Sequence, residues 1–510
     1  MSSENKRVTL KPLGVELSAP AGTALRDLLF AQGVEFPCGG QGRCRGCRVR
    51  VLEGTVEINA AQCERLSAEE LAAGWRLACQ CSLQDDLVIE LRQWDAAILV
   101  DDTPFTFEPR AGLGVAVDLG TTTLVAQLLD LHDGRVLGVR TALNAQARFG
   151  ADVMSRVRFG LPESGRAQLR DIIRRQIGSL IEQLTSAVPA RRGEICDVVL
   201  VGNTVMHHLF CGLDVEPLSR YPFESPYLGL QIFPASELRW DLAGEPCVRF
   251  LPCLGGFVGS DILAGMLATR LAERDETNAL VDLGTNGEIV VGNRNGLLCA
   301  STAAGPAFEG ARISMGMRAA TGAISEVKAE NGHLRCGVLG NVAPQGLCGS
   351  GLVDAVAVGL ELGRIQASGR FANGTAAWEL ASPVTLSQGD VRELQLAKGA
   401  IAAGIRILLE RRGTCPADLG RLYLAGAFGN YINRTSAERI GLIGLPAEKV
   451  EAAGNTALLG AKLALFSPDG EDGSYAGLRA KTEHVPLSAD PNFQEVFVEE
   501  MVFPESRTQE

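Results

Sequence analysis

The five residues VDLGT at 117–121 occur again, unchanged, at 281–285. Each copy stands between runs rich in β-branched and aliphatic residues, GVAVDLGTTTLVAQLLDLHDGRV at 114–136 and NALVDLGTNGEIVVGNRNGLL at 278–298. Both runs predict a strand, a tight turn and a second strand. A repeat distance of roughly 150–200 residues is too long for a solenoid. The sequence therefore predicts two related half-domains, each of which opens with a β-hairpin.

The two predicted turns carry the side chains of a phosphate-binding loop. Glycine lets backbone amides approach phosphate oxygens, threonine hydroxyls donate hydrogen bonds, and an aspartate can face Mg²⁺ through water. One such turn is also an ordinary hairpin turn, whereas two in matching contexts indicate a clamp. The candidate residues are Asp118, Gly120, Thr121, Thr122 and Thr123 in the first copy and Asp282, Gly284, Thr285 and Asn286 in the second.

This arrangement resembles the superfamily of actin, sugar kinases, acetate kinase and the ATP-binding heat-shock chaperones, from about Gly114 to the C-terminus. The resemblance implies a duplicated, RNase H-like fold that binds ATP between two lobes, with Asp118 and Asp282 as catalytic carboxylates. It also implies that Asp261, in LGGFVGSDILAG, is the catalytic base; an aspartate that caps a helix is the alternative. Further nucleotide-binding residues implied by it are Gly426 and Gly429 in YLAGAFGNYIN and Gly349, Ser350 and Gly351 in GLCGSGLVDAV.

A second motif lies near the N-terminus, where FPCGGQGRCRGCRVRVLEG at 36–54 contains three cysteines in the pattern C-x5-C-x2-C, and GWRLACQC follows downstream. Four cysteines with similar spacing hold plant-type [2Fe–2S] clusters, and glycine-rich backbone can bend tightly around such a cluster. A zinc knuckle is the alternative, although zinc sites usually pair two CxxC units. Around the motif, VTLKPLGVELSAPAG predicts a hairpin, ALRDLLFAQG an amphipathic helix, and CRVRVLEG a strand.

This region resembles the β-grasp type of ferredoxin domain. The resemblance implies that the cluster ligands are Cys38, Cys44, Cys47 and Cys79. Cys79 lies inside the matched string RLACQ, and Cys81 remains the competing fourth ligand.

Composition limits the classes of protein that remain. The chain has 510 residues, 46% of them hydrophobic and 21% charged, and a formal net charge of −12. These values exclude a disordered chain and argue against nucleic acid or an anionic membrane as the main partner. No apolar run approaches the roughly 20 residues of a membrane helix, and MSSENKRVTL lacks the pattern of a signal peptide. We therefore expect a cytoplasmic protein whose thiols stay reduced.

The sequence predicts a multidomain α/β and α+β protein. The expected parts are a [2Fe–2S] ferredoxin-like domain at 1–94, a linker at 95–112, a first ATPase lobe at 113–278 and a second at 279–510. A ferredoxin needs no ATP and a sugar kinase needs no cluster. Their fusion favours ATP turnover that drives an uphill electron transfer.

The combination resembles the reductive activators of corrinoid proteins through FPCGGQGRCRGC, AVDLGTTT, VGNTVMHH, GFVGSDILAG, LVDLGTNGEI, AGPAFEGARISMGM, GLCGSGLVDAV and LAGAFGNYIN. The resemblance implies ATP-dependent reduction of Co(II) to Co(I) in a corrinoid protein of a methyltransferase system. It implies a [2Fe–2S] cluster, ATP and Mg²⁺ as cofactors, and an external low-potential electron donor. It leaves open whether the chain forms a homodimer.

Two departures from that family stand out: no cysteine-rich tail follows Cys415, and the short linker leaves no room for an extra domain. The rival interpretations are an ATP-dependent chaperone-like protein whose cluster senses redox state, and a small-molecule kinase with an appended ferredoxin.

Overall fold

The computed structural model describes residues 5–11, 15–30, 47–91, 105–150, 152–186, 188–284, 286–330, 333–467 and 473–505. The first described residues form a mixed β-sheet with short helices against it. Its strands are β1 (Asn5–Lys11), β2 (Val15–Pro20), β3 (Arg48–Glu53), β4 (Trp75–Leu77) and β5 (Leu87–Leu91), and its helices are α1 (Leu25–Phe30), α2 (Ala60–Arg65) and α3 (Ala68–Ala72).

This sheet has the strand order β2-β1-β5-β3-β4, with β1 and β5 parallel and the other neighbours antiparallel. Leu25 and Leu29, one helical turn apart on α1, are fully buried against it. The predicted N-terminal hairpin, helix and strand are therefore confirmed, in the arrangement of a β-grasp ferredoxin domain.

The first copy of VDLGT opens a second sheet. Its strands are β6 (Leu113–Leu119), β7 (Thr123–Asp130), β8 (Val136–Leu143), β9 (Ile195–Val201), β10 (Gln231–Pro234) and β11 (Cys247–Phe250), and its helices are α4 (Val153–Gly160), α5 (Glu163–Ser186), α6 (Thr204–Cys211) and α7 (Ser260–Thr269). The order is β10-β11-β9-β6-β7-β8. One face of this sheet is covered by α5, whose buried side chains include Leu169, Ile173 and Ile177, spaced at helical period.

The second copy of VDLGT opens a third sheet and the rest of the chain. The strands are β12 (Asn278–Leu283), β13 (Gly287–Asn293), β14 (Gly296–Thr302), β15 (Ala323–Glu330), β16 (His333–Val338), β17 (Gly346–Leu347), β18 (Ala377–Ala381), β19 (Val384–Ser387), β20 (Leu422–Ala425), β21 (Val450–Gly454) and β22 (Thr482–His484). The helices are α8 (Gly349–Glu361), α9 (Gln388–Arg411), α10 (Gly426–Tyr431), α11 (Arg434–Arg439), α12 (Thr456–Leu465), α13 (Gly473–Ala480) and α14 (Phe493–Glu500).

The topology confirms the duplication. In the second sheet β6, β7 and β8 are successive antiparallel neighbours, and β9 joins β6 in parallel. In the third sheet, whose order is β21-β20-β12-β13-β14-β22, β12, β13 and β14 are antiparallel neighbours and β20 joins β12 in parallel. The Val-Asp-Leu of each motif therefore ends a central strand of its own sheet, and the glycine begins the hairpin turn that follows; Thr285 of the second copy lies outside the described residues.

The two halves share one apolar core. Side chains of α7 and α12, such as Leu263 and Leu458, pack with residues from both large sheets, such as Val199 and Leu280. Helix α12 comes from the C-terminal half, yet it contacts β6 and β9 of the first half. It therefore joins the two halves in the region between their sheets.

The described part of the predicted linker packs against the ATPase-like domain. Phe105 and Phe107 lie beside Phe466, at ring-centroid distances of 5.4 and 4.4 Å. The Arg110 guanidinium donates to the Leu465 carbonyl at the end of α12. Among the described residues, no helix is both long and apolar enough to cross a membrane.

Candidate functional site

Two of the four predicted cluster ligands lie in the described part of the chain. Cys47 immediately precedes β3 and is 1% exposed, and Cys79 lies in a 3-10 helix that follows β4. The Ala78 amide donates to the Cys47 carbonyl at 3.0 Å, which joins the two cysteine-bearing segments. Cys38 and Cys44 lie outside the described residues.

The two competing cysteines have different surroundings. The Cys81 thiol is buried, as Cys47 is, and it donates to the Leu77 carbonyl at 3.1 Å. Cys79 is partly exposed, and the Gln80 side-chain amide donates to its sulfur at 3.5 Å. Hydrogen bonds to sulfur are a usual feature of iron–sulfur sites and tune their potential. The described residues therefore fit a cluster, with Cys79 better placed than Cys81.

A cavity between the second and third sheets brings most of the predicted nucleotide residues together. The predicted residues that line it are Asp118, Gly120, Thr121, Thr122, Thr123, Asp261, Asp282, Gly284, Asn286, Gly349, Ser350 and Gly426. The exceptions are Thr285, which is outside the described residues, and Gly351 and Gly429, which are absent from the lining.

Gly351 and Gly429 have packing reasons to be glycine. A Cβ at Gly351 would lie 2.2 Å from the Ile324 carbonyl oxygen, and one at Gly429 would lie 3.2 Å from the Leu424 backbone. The segment GLCGSGLVDAV leads directly into α8, which begins at Gly349. YLAGAFGNYIN passes from β20 into the short helix α10 at Gly426.

Close approach explains two of the glycines at the cavity. A Cβ at Gly120 would lie 2.5 Å from the Thr123 carbonyl oxygen, so only glycine fits this turn. Gly426 has φ +81°, and a Cβ there would lie 2.6 Å from Oδ1 of Asp282. The backbone at these two positions therefore comes close to the carboxyl-bearing turns.

Two asparagines connect helix starts to residues 118–123, which the sequence predicts to bind phosphate and which we call the first phosphate turn. Asn203 caps α6 by accepting from the Met206 amide at 3.0 Å, and its side-chain nitrogen donates to the Thr121 hydroxyl at 2.8 Å. Asn455 caps α12 in the same way and donates to Oδ2 of Asp118 at 3.0 Å. Each residue uses a side-chain acceptor and a side-chain donor at once, which asparagine provides and an ionised aspartate does not.

Asp261 lies in the first turn of α7, where it lines the cavity. The N-cap of this helix is Gly259, so the alternative interpretation of Asp261 as the capping residue is wrong. The Ser260 hydroxyl bonds the Gly202 backbone at 3.1 Å, which places the starts of α6 and α7 side by side. Asp261 is thereby held beside the segment that carries Asn203.

Four of the carboxyl groups that line this cavity have raised pKa values. Burial raises the pKa of Asp118 to about 6, against the opposing effect of the Asn455 amide. Burial and the charge of Asp282 raise the pKa of Asp261 to about 7, and burial and the charge of Asp118 raise the pKa of Asp282 to about 7. Burial, with Asp261 and Asp282 nearby, raises the pKa of Glu288 well above its usual range. Such a site favours a positively charged ligand, or a proton, close to these groups.

Sequence reasoning missed Asn203, Asn455 and Glu288. Glu288 is 8% exposed and pairs directly across the β12–β13 hairpin with Asp282, so strand alternation places both on one face. That register was a usable signal in the sequence. Asn455 carried no such signal, because only the tertiary fold brings α12 to the first phosphate turn.

The fold and the cavity define a class of protein, a ferredoxin-type domain joined to a duplicated nucleotide-binding domain. The family model of the 2Fe-2S iron-sulfur cluster binding domain matches residues 8–84. The model of the RACo middle region matches residues 113–274, and that of the C-terminal ASKHA domain of RACo matches 276–510.

Relatives matched over about three quarters of their length agree with these domain matches. The chain is 35% identical to "Corrinoid activation enzyme RamQ" of Eubacterium limosum over 436 residues, which cover 79% of this chain and 72% of the relative. It is 27% identical to the "[Co(II) methylated amine-specific corrinoid protein] reductase" of Methanosarcina barkeri, with 76% and 77% covered. A solved structure titled "Reductive activator for corrinoid,iron-sulfur protein" matches 98% of both chains at 28% identity, with a TM-score of 0.68. The chain belongs to the family of reductive activators of corrinoid proteins.

Proposed function

We propose that this protein uses ATP to pass one electron from a [2Fe–2S] cluster to the Co(II) form of a corrinoid protein, regenerating Co(I) for methyl transfer. One observation carries the proposal: a ferredoxin sheet with Cys47 and Cys79 brought together, and an acid-lined cavity between duplicated sheets, occur in a single chain. The relatives named for corrinoid activation and corrinoid reduction support the same assignment.

The cluster ligands in this proposal are Cys38, Cys44, Cys47 and Cys79. When bound, a plant-type cluster supplies single electrons near roughly −400 mV. For an acceptor of lower potential, each ~59 mV makes the transfer tenfold less favourable. ATP binding and hydrolysis would offset this unfavourable equilibrium by changing the populations of conformations that hold the partner.

The nucleotide would bind with its phosphates against the two hairpin turns. The backbone at Gly120 and the hydroxyl of Thr121, oriented by Asn203, are suited to phosphate oxygens. Gly284 lies at the second turn, where its amide donates to the Asn286 carbonyl at 3.0 Å. The first turn of α8, at Gly349 and Ser350, adds backbone N–H groups and the positive end of a helix dipole.

We assign the role of general base in ATP hydrolysis to Asp261. A water oxygen bonds to the γ-phosphorus, the bond from that phosphorus to the ADP oxygen breaks, and the water proton passes to the Asp261 carboxylate. A carboxyl group with a pKa of about 7 suits this role, because it is partly ionised at neutral pH and still basic.

Mg²⁺ is the proposed metal at this cavity. Among the described residues, no three His, Cys, Asp or Glu side chains lie close enough to hold a metal ion by themselves. Mg²⁺ commonly keeps several waters and is bound by one or two carboxylates plus substrate phosphates, so Asp118 and Asp282 fit as its protein partners. The ion would stabilise the ionised forms of these two carboxyl groups, which burial otherwise disfavours.

The partners in this proposal are a corrinoid protein, as acceptor, and an external low-potential donor that reduces the cluster. We further propose a homodimer, which light scattering tests as a mass twice that of the chain. The cytoplasm is the proposed location, because the cluster thiols need a reducing compartment.

Separating the two half-reactions tests this function. We expect Cys44→Ser to abolish electron transfer and to preserve ATP hydrolysis, because the cysteine belongs to the ferredoxin domain alone. We expect Asp261→Asn to slow hydrolysis by about 10²–10⁴-fold, the usual contribution of a general base, while the visible spectrum of the cluster is unchanged. Loss of neither activity in Cys44→Ser would contradict the proposal.

A further inference from the structure

The segment at residues 143–147, which we call the coupling segment, lies between the ferredoxin domain and the first phosphate turn. It begins at the last residue of β8 and continues into a 3-10 helix. Leu143, Ala145 and Ala147 pack against the apolar cluster of the ferredoxin domain. That cluster includes Cys47, and Cys79 packs against it. These three side chains therefore contact the same core as two proposed cluster ligands.

Asn144, which lies between Leu143 and Ala145, directs its side chain toward the first phosphate turn. It is 0% exposed, its backbone amide donates to the Thr122 carbonyl at 2.8 Å, and its side-chain nitrogen donates to the Gly120 carbonyl at 2.9 Å. Both acceptors belong to the first phosphate turn, whose residues line the cavity. A shift of this turn on nucleotide binding would therefore act directly on Asn144.

Helix α5 holds the coupling segment in place through hydrogen bonds. The Gln176 side chain accepts from the Ala145 amide at 2.8 Å and donates to the Leu143 carbonyl at 2.6 Å. The neighbouring Gln146 is fully buried and donates to the Leu169 carbonyl, also on α5, at 3.1 Å. Because its backbone is fixed at several points, the segment can transmit a displacement instead of absorbing it.

We propose that the coupling segment is the surface through which nucleotide binding and the ferredoxin domain of the same chain affect each other. The inference rests on the proposed function for the identity of the nucleotide and of the cluster. By linkage, a nucleotide that binds one arrangement of this contact more tightly changes the reduction potential of the cluster. The oxidation state of the cluster changes nucleotide affinity by the same factor.

Titrating the full-length holoprotein with a non-hydrolysable ATP analogue tests this coupling. The dissociation constant is measured by calorimetry on the reduced and on the oxidised protein. We expect the two constants of the wild type to differ by about fivefold or more, which corresponds to about 40 mV in the midpoint potential. Ala147→Glu places a carboxylate in the apolar contact and leaves the hydrogen bonds of Asn144 in place, so the ratio should fall to one.

Two further variants make the result specific. Ala190→Glu is the matched control, because Ala190 is an exposed alanine in another 3-10 helix of the same lobe, Pro189–Glu194, and it should keep the wild-type ratio. Leu143→Ala removes apolar contact without adding charge and should reduce the ratio partially. The visible absorption of the cluster, recorded for every variant, shows whether the ferredoxin domain is intact.

The outcomes distinguish this inference from the proposed function. A wild-type ratio of one, an unchanged ratio in Ala147→Glu, or loss of the cluster in both Ala147→Glu and Leu143→Ala would overturn the coupling, even if the protein reduces corrinoid proteins. Conversely, a wild-type ratio that Ala147→Glu abolishes would support the coupling, even if no corrinoid protein is reduced.

Discussion

Replacing Asp118 with asparagine should stabilise the nucleotide-free protein at pH 8, although the aspartate belongs to the proposed catalytic cavity. The pKa of Asp118 is raised by burial from 3.8 to about 6 in the folded protein. Between these two values the folded state binds more protons than the unfolded state. The free energy of unfolding therefore falls as the pH rises from about 4 to about 6, and it stays lower above that range.

The size of the effect follows from this shift. One pKa unit corresponds to about 1.36 kcal/mol, so a shift of about two units corresponds to about 3 kcal/mol as an upper bound. Asparagine has the same shape, carries no charge, and offers a carbonyl oxygen to the Asn455 amide that now donates to Asp118. We expect Asp118→Asn to raise the free energy of unfolding at pH 8 by about 1–3 kcal/mol and to abolish ATP hydrolysis.

Urea unfolding followed by circular dichroism, at pH 8 and pH 5, measures this difference. The stabilisation should be smaller at pH 5, because part of the wild-type penalty has disappeared there. Asp241→Asn, at an exposed position of the first lobe, is the matched control and should change nothing. A variant that is no more stable than the wild type at pH 8, or equally stabilised at both pH values, would show that the buried charge of Asp118 does not destabilise the protein.

Three other predictions concern the fourth cluster ligand, a helix cap and a cavity glycine. Cys79→Ser should lose most of the iron and the visible absorption of the purified protein, whereas Cys81→Ser should keep both; the reverse result would make Cys81 the ligand. Asn203→Ala removes a helix cap and the hydrogen bond to the phosphate turn, so calorimetry should show ATP affinity reduced about fivefold, with unchanged affinity as the contrary result. Gly426→Ala should abolish ATP hydrolysis because the new Cβ would clash with the Asp282 carboxylate in the cavity. Gly363→Ala, at a similar positive φ but with open space around it, should lower stability and leave hydrolysis unchanged. Equal activity in the two variants would contradict a role for Gly426 in the cavity.

Much of the fold could be predicted because short-range sequence patterns determine its hairpins and helices. The two VDLGT hairpins are recognisable from β-branched strands on either side of a glycine turn, and the structure places them at equivalent positions in two sheets. The spacing of Leu169, Ile173 and Ile177 likewise indicates which face of α5 is buried. Such periodicities follow from strand and helix geometry and do not need the tertiary fold.

The rest of the cavity could not be predicted, since long-range packing assembles it. Asn455 reaches Asp118 only because α12 returns to pack against β6. Asn203 reads as an ordinary helix cap, and its second hydrogen bond depends on where α6 begins relative to the first turn. Gly351 illustrates the opposite error, because a glycine next to Ser350 suggests a nucleotide contact although close packing against Ile324 accounts for it.

Formation of Co(I) in a corrinoid protein tests ATP-driven electron transfer most directly. The reduced holoprotein is mixed under anaerobic conditions with a corrinoid protein in its Co(II) state, and the absorption band of Co(I) is followed with MgATP, with MgADP and without nucleotide. We expect the Co(I) band to appear with MgATP alone. No Co(I) with MgATP, or equal amounts of Co(I) in the absence of ATP, would contradict an ATP-driven electron transfer.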